Sequence, residues 1–231
     1  MIMKQRTLGP FDIFLIAGII VCNIVYSVMS GEADPAGSAA AVAGVLCVVL
    51  VAKGSIWNYV FGVVNVSLYA WISWKASLYG DAALNALYYF PMQFIGWWQW
   101  RKRGASAEGN VRARRMTWPQ RTALAAVCAL LVTAGGFALR HFGDPQPFKD
   151  SATTVLSIVA QALMAAAFME QWALWIITNV ISVAMWCIFV SRGEAHAPLM
   201  ALMWAFYLAN SLNGLRVWIK LSDRRETVSG E

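Results

Sequence analysis

Side chains able to do acid–base, nucleophilic or metal chemistry are scarce in this sequence. None of them stands in a constellation that could run a reaction. The two histidines, His141 and His196, fall in short polar connections with no cysteine or second histidine at ligand spacing, so no metal site is expected. The four cysteines, Cys22, Cys47, Cys128 and Cys187, all lie inside apolar runs, which fits packing and not a disulfide framework. There is no His-Glu-x-x-His, no Ser–His arrangement, no paired-carboxylate constellation and no P-loop. These absences argue against membrane-embedded hydrolases and a P-loop nucleotide site; neither enzyme activity nor a cofactor is expected.

What the sequence offers instead is uncharged amides and hydroxyls set among aromatic rings. Trp175, Asn179, Ser182 and Trp186 recur at i, i+4, i+7 and i+11, one face of a helix. Tyr207, Asn210, Ser211 and Gly214 form a second stripe, and Asn85, Tyr89, Gln93 and Gly96 a third. Asn65, Gln161 and Asn213 add amides at similar depth, and Trp97 adds a ring one to two turns in from a span end. Any one amide could be interhelical glue. Taken together, Gln93, Asn179, Asn210, Trp175, Trp186, Tyr89, Tyr207, Asn65, Ser182, Asn213 and Trp97 are expected to converge on a polar, uncharged binding pocket. Such a lining suits an aromatic or sugar ring bearing amide and hydroxyl groups, and a positively charged ring would gain cation–π attraction.

The elements that must position these groups follow from composition. The 231 residues are 59% hydrophobic and 13% charged, with a mean hydropathy of +0.56. Soluble domains run about 45–50% apolar and about 25% charged, so a polytopic membrane protein is indicated. At about 20 residues a span the length holds roughly eight. Apolar stretches stand at 11–29, 37–52, 56–74, 83–100, 121–139, 152–169, 172–190 and 198–218. The first reads as a retained helix and not a signal peptide, because the polar segment after it has no small-x-small cleavage pattern.

A net charge of +6 would elsewhere point to nucleic acid; here it reads as a topology signal, and no nucleic-acid partner is expected. With the N-terminus inside, Lys4, Arg6, Lys53, seven cations from Arg101 to Arg121, Lys220, Arg224 and Arg225 face the cytoplasm. Only Lys75, Arg140, Lys149 and Arg192 face out, which predicts both termini inside. The linker 101–120 reads as a solvated topology determinant, with an anionic-lipid or regulatory-protein patch as the alternative. Most tryptophans at span ends, Trp57, Trp71, Trp74, Trp98, Trp100, Trp118, Trp172 and Trp218, read as an interfacial belt.

The linker divides two similar halves. Tyr89, Gly96, Trp100 and Lys102 match Tyr207, Gly214, Trp218 and Lys220, and upstream Trp57, Ser67 and Trp71 are set against Trp172, Ser182 and Trp186. Two helix triplets, 37–100 and 152–218, joined by a single span at 121–139, make a three-plus-one-plus-three parallel repeat with substrate between the halves. The span at 11–29 stands outside that repeat. Pro91, mid-span in the fourth helix, deprives the Leu87 carbonyl of its intrahelical donor and is a candidate hinge. No Asp, Glu, His or Lys lies near a span centre, which argues for movement uncoupled from proton or sodium gradients.

The stretch 57–102 resembles the PnuC family of bacterial nicotinamide riboside transporters. The resemblance rests on Leu78-Tyr79-Gly80-Asp81, Asn85, Tyr88-Tyr89, Gln93 and Gly96 through Trp100, and in the second half on Glu170-Gln171-Trp172, Trp175, Tyr207, Gly214 and Trp218. It covers roughly 40–220. It implies an all-α, SWEET-like membrane fold with seven core helices, a homotrimer in the lipid of a bacterial inner membrane, and facilitated diffusion of nicotinamide riboside (a vitamin B3 form feeding NAD biosynthesis) trapped by phosphorylation inside. The chain departs from that pattern in its extra N-terminal span and in Asn179, where many relatives are expected to carry an acid. A SWEET-like uniporter of a sugar, vitamin or other nucleoside, and a membrane scaffold or sensor subunit, are the competing readings.

Overall fold

The computed structural model describes residues 8–30, 35–75, 77–106, 109–144, 146–193 and 197–223. His196, the segment 31–34 and the cations Lys4, Arg6, Arg224 and Arg225 lie outside them. Eight helical stretches account for most of the described chain. They are α1 (Pro10–Ser30), α2 (Pro35–Lys53), α3 (Asn58–Lys75), α4 (residues 79–102), α5 (Trp118–His141), α6 (Pro147–Ala165), α7 (Gln171–Ser191) and α8 (Ala197–Asp223). Four of them, α1, α2, α5 and α7, are by length and composition apolar enough to cross a membrane. Prolines at the first position open α1, α2 and α6, where a missing N–H costs nothing. Thr117 and Gln120 cap α5 reciprocally, the Thr117 N–H donating to Gln120 Oε1 at 2.9 Å.

The helices close a ring. Contacts run from α2 to α3, α4, α6, α7, α8 and back to α2. Of the two remaining helices, α5 packs on α6, and α1 packs on α2 and α8. Leu15 and Ile19 of α1 are buried against Val45 and Val49 of α2, and Lys53 pairs with Asp12 at 2.6 Å. That ion pair sets the start of α1 beside the end of α2, where α8 also finishes.

The end of the ring that carries most cations is where the structure departs furthest from expectation. The linker is not a solvated loop. Over 111–113 it alternates in and out, with Val111 and Ala113 buried and Arg112 exposed; beyond that Arg114 is half-buried and Arg115 exposed. The Val111 N–H donates to the Gly54 carbonyl at 2.9 Å, just beyond α2. The Arg114 N–H donates to the Ala167 carbonyl at 2.7 Å, and the Met169 N–H returns a 2.9 Å bond to the Arg114 carbonyl. This pairing also explains why α6 ends at Ala165 and not at 169. The apolar signal continues through Ala166–Met169, but the chain turns at Ala167 (φ 61°) to meet the linker.

Three tryptophans assigned to the interfacial belt belong to this core instead. Trp100 and Trp218 are fully buried and Trp172 is 2% exposed, whereas Trp71, Trp74, Trp98 and Trp118 are exposed. Two of the buried indole N–H groups are bonded across the core, Trp100 to the Met164 carbonyl of α6 at 2.8 Å and Trp218 to the Val51 carbonyl of α2 at 2.9 Å, whereas that of Trp172 has no partner among the described residues. Tyr59, Trp100, Trp218 and Trp172 form a continuous chain of rings, with centroids 5.1, 5.6 and 6.1 Å apart. Tyr59 lies on Gly96 and Trp172 lies on Gly214. The upstream register is therefore shifted by two residues: Tyr59, and not the exposed Trp57, is the counterpart of Trp172.

Pro91 does not leave a simple kink. A π-helical turn, Leu84–Tyr89, immediately precedes it, with the Phe90 N–H reaching back to the Asn85 carbonyl. The wider turn relieves the clash that a proline ring makes with the preceding turn and shifts the register of the Asn85 and Tyr89 side chains.

A methyl group at Gly214 would stand 2.5 Å from the Trp172 ring, whose other faces are packed. Gly214→Ala is expected to destabilise the protein by about 1–3 kcal/mol through overpacking. Thermal melting of the purified variant checks this, and a melting temperature equal to the parent's would mean that the ring stack yields.

Candidate functional site

Beyond the aromatic chain, towards the middle of the ring, polar side chains gather around one face of α2. That face is small: Ala40, Gly44 and Cys47 follow at near-helical spacing. Asn65 of α3 donates from Nδ2 to the Ala40 carbonyl at 2.8 Å. A Cβ on Gly44 would come within 2.9 Å of that same nitrogen and 3.9 Å of the Tyr207 hydroxyl. Gln93 of α4 lies with Oε1 against Gly62 of α3, close to Cys47 Sγ. Asn210 of α8 donates from Nδ2 to the Val48 carbonyl at 3.1 Å. Asn65, Gln93, Tyr207 and Asn210, from three helices, thus meet at successive turns of a fourth.

On the opposite side of α8 the pairing is between side chains. Asn179 Nδ2 donates to Ser211 Oγ at 2.8 Å, and that hydroxyl donates to the Tyr207 carbonyl at 2.9 Å. Between α4 and α6, Tyr88 donates to the Ile158 carbonyl at 2.7 Å and Tyr89 pairs with Ser157. Trp97 and Trp175 are half-buried and rest on the aromatic chain at the basic end.

Most amide donors are spent, as the glue reading of single residues expects. Asn65, Asn210 and Gln93 each give Nδ2 or Nε2 to a backbone carbonyl, Gln93 to that of Tyr89 at 3.0 Å. Several buried atoms are not satisfied among the described residues. Gln93 Oε1 and Asn210 Oδ1 are open acceptors, Gln161 Nε2 is an open donor, and Thr178 Oγ1 has no partner. A buried polar group left without a partner costs about 1–3 kcal/mol, so such a set is a standing demand for a polar ligand or water.

Not every residue of the expected set joins it. Ser182 turns back on its own helix, donating to the Thr178 carbonyl at 3.0 Å. Trp186 lies towards the other end of α7, with its ring on Phe189 at 5.4 Å. Asn213 shares the flank of α8 that carries Phe206 and Ala209 towards α1. In exchange, the sequence reading overlooked α2. Gly44, Cys47 and Gly62 admit the amides, and the small-residue spacing Ala40, Gly44, Cys47 was the available signal. Among the described residues, the central turns of the six ring helices carry no Asp, Glu, Lys or Arg and no cluster that could hold a metal. Among the described residues the arrangement offers uncharged hydrogen-bonding groups with aromatic rings beside them.

A family model described as "Nicotinamide mononucleotide transporter" matches residues 35–220. The nicotinamide riboside transporter PnuC of Neisseria mucosa is 44% identical over 81% of this chain and 73% of its own length. That of Haemophilus influenzae is 33% identical over 93% and 92%. The riboflavin/roseoflavin transporter RibM of Streptomyces davaonensis is 25% identical over 89% of each. A solved crystal structure of the vitamin B3 transporter PnuC superposes with a TM-score of 0.75 at 39% identity, covering 94% of both chains. With the aromatic chain, the paired glycines and the uncharged amide site all falling inside the matched segment, the chain belongs to the PnuC family of membrane transporters.

Proposed function

We propose that the protein moves nicotinamide riboside across the membrane by facilitated diffusion. The observation that carries this reading is the set of open, buried amide groups in an uncharged ring interior. The riboside presents a cationic aromatic ring, a carboxamide and ribose hydroxyls. Its N–H and O–H groups suit Gln93 Oε1 and Asn210 Oδ1, its carboxamide oxygen suits Gln161 Nε2, and its ring suits the faces of Trp97 and Trp175. A mononucleotide would bring a phosphate as well. Phosphate recognition calls for Arg or Lys, which the central turns lack, so the riboside is favoured over the mononucleotide of the family description.

The transport cycle we infer is alternating access in a SWEET-like three-plus-one-plus-three arrangement, with triplets 37–100 and 152–218, linker 101–120 and a single helix at 121–139. Two reciprocal features support it: α2 meets α8 as α4 meets α6, and Trp218 bonds Val51 as Trp100 bonds Met164. The π-helical turn before Pro91 gives the hinge a structural basis. Both termini are assigned to the cytoplasm of a bacterial inner membrane, supported by the cations gathered at one end. A homotrimer, and trapping of the riboside by phosphorylation inside, rest on the resemblance. The match to RibM favours one second reading, transport of a different ring-bearing vitamin such as riboflavin.

In proteoliposomes held at zero membrane potential, the purified protein is expected to bring internal nicotinamide riboside up to the external concentration and no higher, with or without a proton or sodium gradient. Gradient-driven accumulation above that level would contradict uncoupled transport, and uptake of riboflavin but not riboside would favour the second reading.

Truncating Gln93, Asn179 or Asn210 to Ala removes a bond worth about 0.5–1.5 kcal/mol, so each should weaken binding roughly 2- to 12-fold. Trp175→Ala should weaken it more, because ring stacking and the cation–π attraction go together. Tryptophan-fluorescence titration and melting temperature, taken on the same samples, decide the matter. Parent-like affinity in all four variants with earlier melting would reduce these residues to packing.

A further inference from the structure

The linker crosses the basic end of the ring between two turns that belong to different triplets. One is Gly54, after α2, and the other is Ala167, after α6. Both stand in the left-handed backbone region, at φ 69° and 61°. Beneath the linker lies the chain of rings from Tyr59 to Trp172, fully or almost fully buried. Beyond the rings lie Cys47, Gln93 and the amide site. Any solute leaving the site towards the basic end must pass the rings and the linker above them.

The two anchorages of the linker are unequal. On the Ala167 side there are two backbone bonds, the Arg114 guanidinium 4.1 Å over the Phe168 ring, and the Met116 N–H donating to Glu170 Oε1 at 3.0 Å. The same carboxylate oxygen takes the Arg121 Nε and Nη2 donors at 3.0 and 2.8 Å, which fixes the start of α5 to the same turn. On the Gly54 side there is one backbone bond, from Val111, together with the seating of the Val111 side chain; the Arg112 N–H bonds the Arg103 carbonyl at 3.2 Å, but that residue belongs to the linker's own start after α4 and does not hold the Gly54 turn. Asn110, beside it, is buried with Oδ1 unpartnered among the described residues. Breaking one bond costs less than breaking several.

We propose that residues 109–115 are a strap across the inner mouth, which stays bound to the α6–α7 turn and leaves the Gly54 turn each time the basic end opens. The strap gates the two indole–carbonyl bonds below it, because Trp100 and Trp218 cannot part from Met164 and Val51 while one segment holds both turns. The inference rests on the transporter reading for its consequence, though not for its geometry.

Two disulfides test it. A Cβ on Gly54 lies 3.7 Å from Asn110 Cβ, within the range a disulfide needs, so Gly54→Cys with Asn110→Cys can lock the releasing side. Arg114→Cys with Phe168→Cys, residues paired in an isolated parallel bridge, can lock the fixed side. In proteoliposomes the oxidised 54–110 pair is expected to lose riboside uptake at least 10-fold and to regain it on reduction. The oxidised 114–168 pair should transport within 2-fold of its reduced form. Uptake by the oxidised 54–110 pair equal to its reduced form overturns the proposal, and so does a block by the 114–168 lock.

A second measurement does not depend on transport or on a cysteine at Gly54. In inside-out vesicles a membrane-impermeant maleimide should alkylate native Cys47 at least 3-fold faster in Val111→Ser than in the parent. Cys128, buried elsewhere in the fold, should not change. Equal rates at Cys47, or a matching rise at Cys128, overturn the strap. Should the parent take up no riboside at all, the proposed function fails, and the Cys47 rates alone decide the strap.

Discussion

The structure turns on two indole–carbonyl hydrogen bonds. Trp100 of α4 reaches Met164 near the end of α6, and Trp218 of α8 reaches Val51 near the end of α2. One bond runs from α4 to α6 and the other from α8 to α2, and each adds an indole donor to a last-turn carbonyl that also accepts a turn N–H, Ala167 on Met164 and Gly54 on Val51, both at 2.9 Å. In a hydrocarbon setting such carbonyls must be satisfied by the protein itself. Here the turn and the facing helix both supply donors. The rings that carry the indole donors also fill the basic end of the ring of helices, so one device both ties the helices together and closes that end.

Packing at that end requires glycine at two positions. Tyr59 and Trp172 can lie flat only because Gly96 and Gly214 present no side chain beneath them. With the rings seated, the turns after α2 and α6 come close enough for one short segment to bond both. The linker is drawn in by that geometry, and its residues comply: Val111 and Ala113 are buried, Arg112 and Arg115 stay at the surface, and Arg114 lies half-buried over the Phe168 ring. A charged segment can be structural in this way when its apolar residues take the inward positions.

Helix number and order were legible in the sequence, since the apolar runs fall on α1 to α8 with ends displaced by a few residues. What was not legible is instructive. Hydropathy sums over a run, so it carried the sixth span past Ala165 to 169, through a turn whose backbone bonds go to the linker. It also cannot separate a tryptophan facing lipid from one facing inward, and Trp98 and Trp100 sit two residues apart with opposite fates. The amide stripes were legible as faces. Their partners were not, because α2 offers no polar side chain to the site and contributes only backbone carbonyls and the space left by Gly44 and Cys47.

The site's polarity is best understood through which half of each amide is already used. Asn65, Asn210 and Gln93 spend their donors on helix backbone, which pins the side chains in place without any ligand. The opposite ends, Gln93 Oε1 and Asn210 Oδ1, stay open and are held at fixed positions. Gln93 Oε1 is packed against Gly62, so a ligand reaches it only as α3 and α4 part. On the proposed uncoupled cycle, a site without full charges would return empty with no proton or ion to neutralise it. Uncharged acceptors, held in place by their own amide donors, serve such a proposed carrier, which must return empty as readily as it travels loaded.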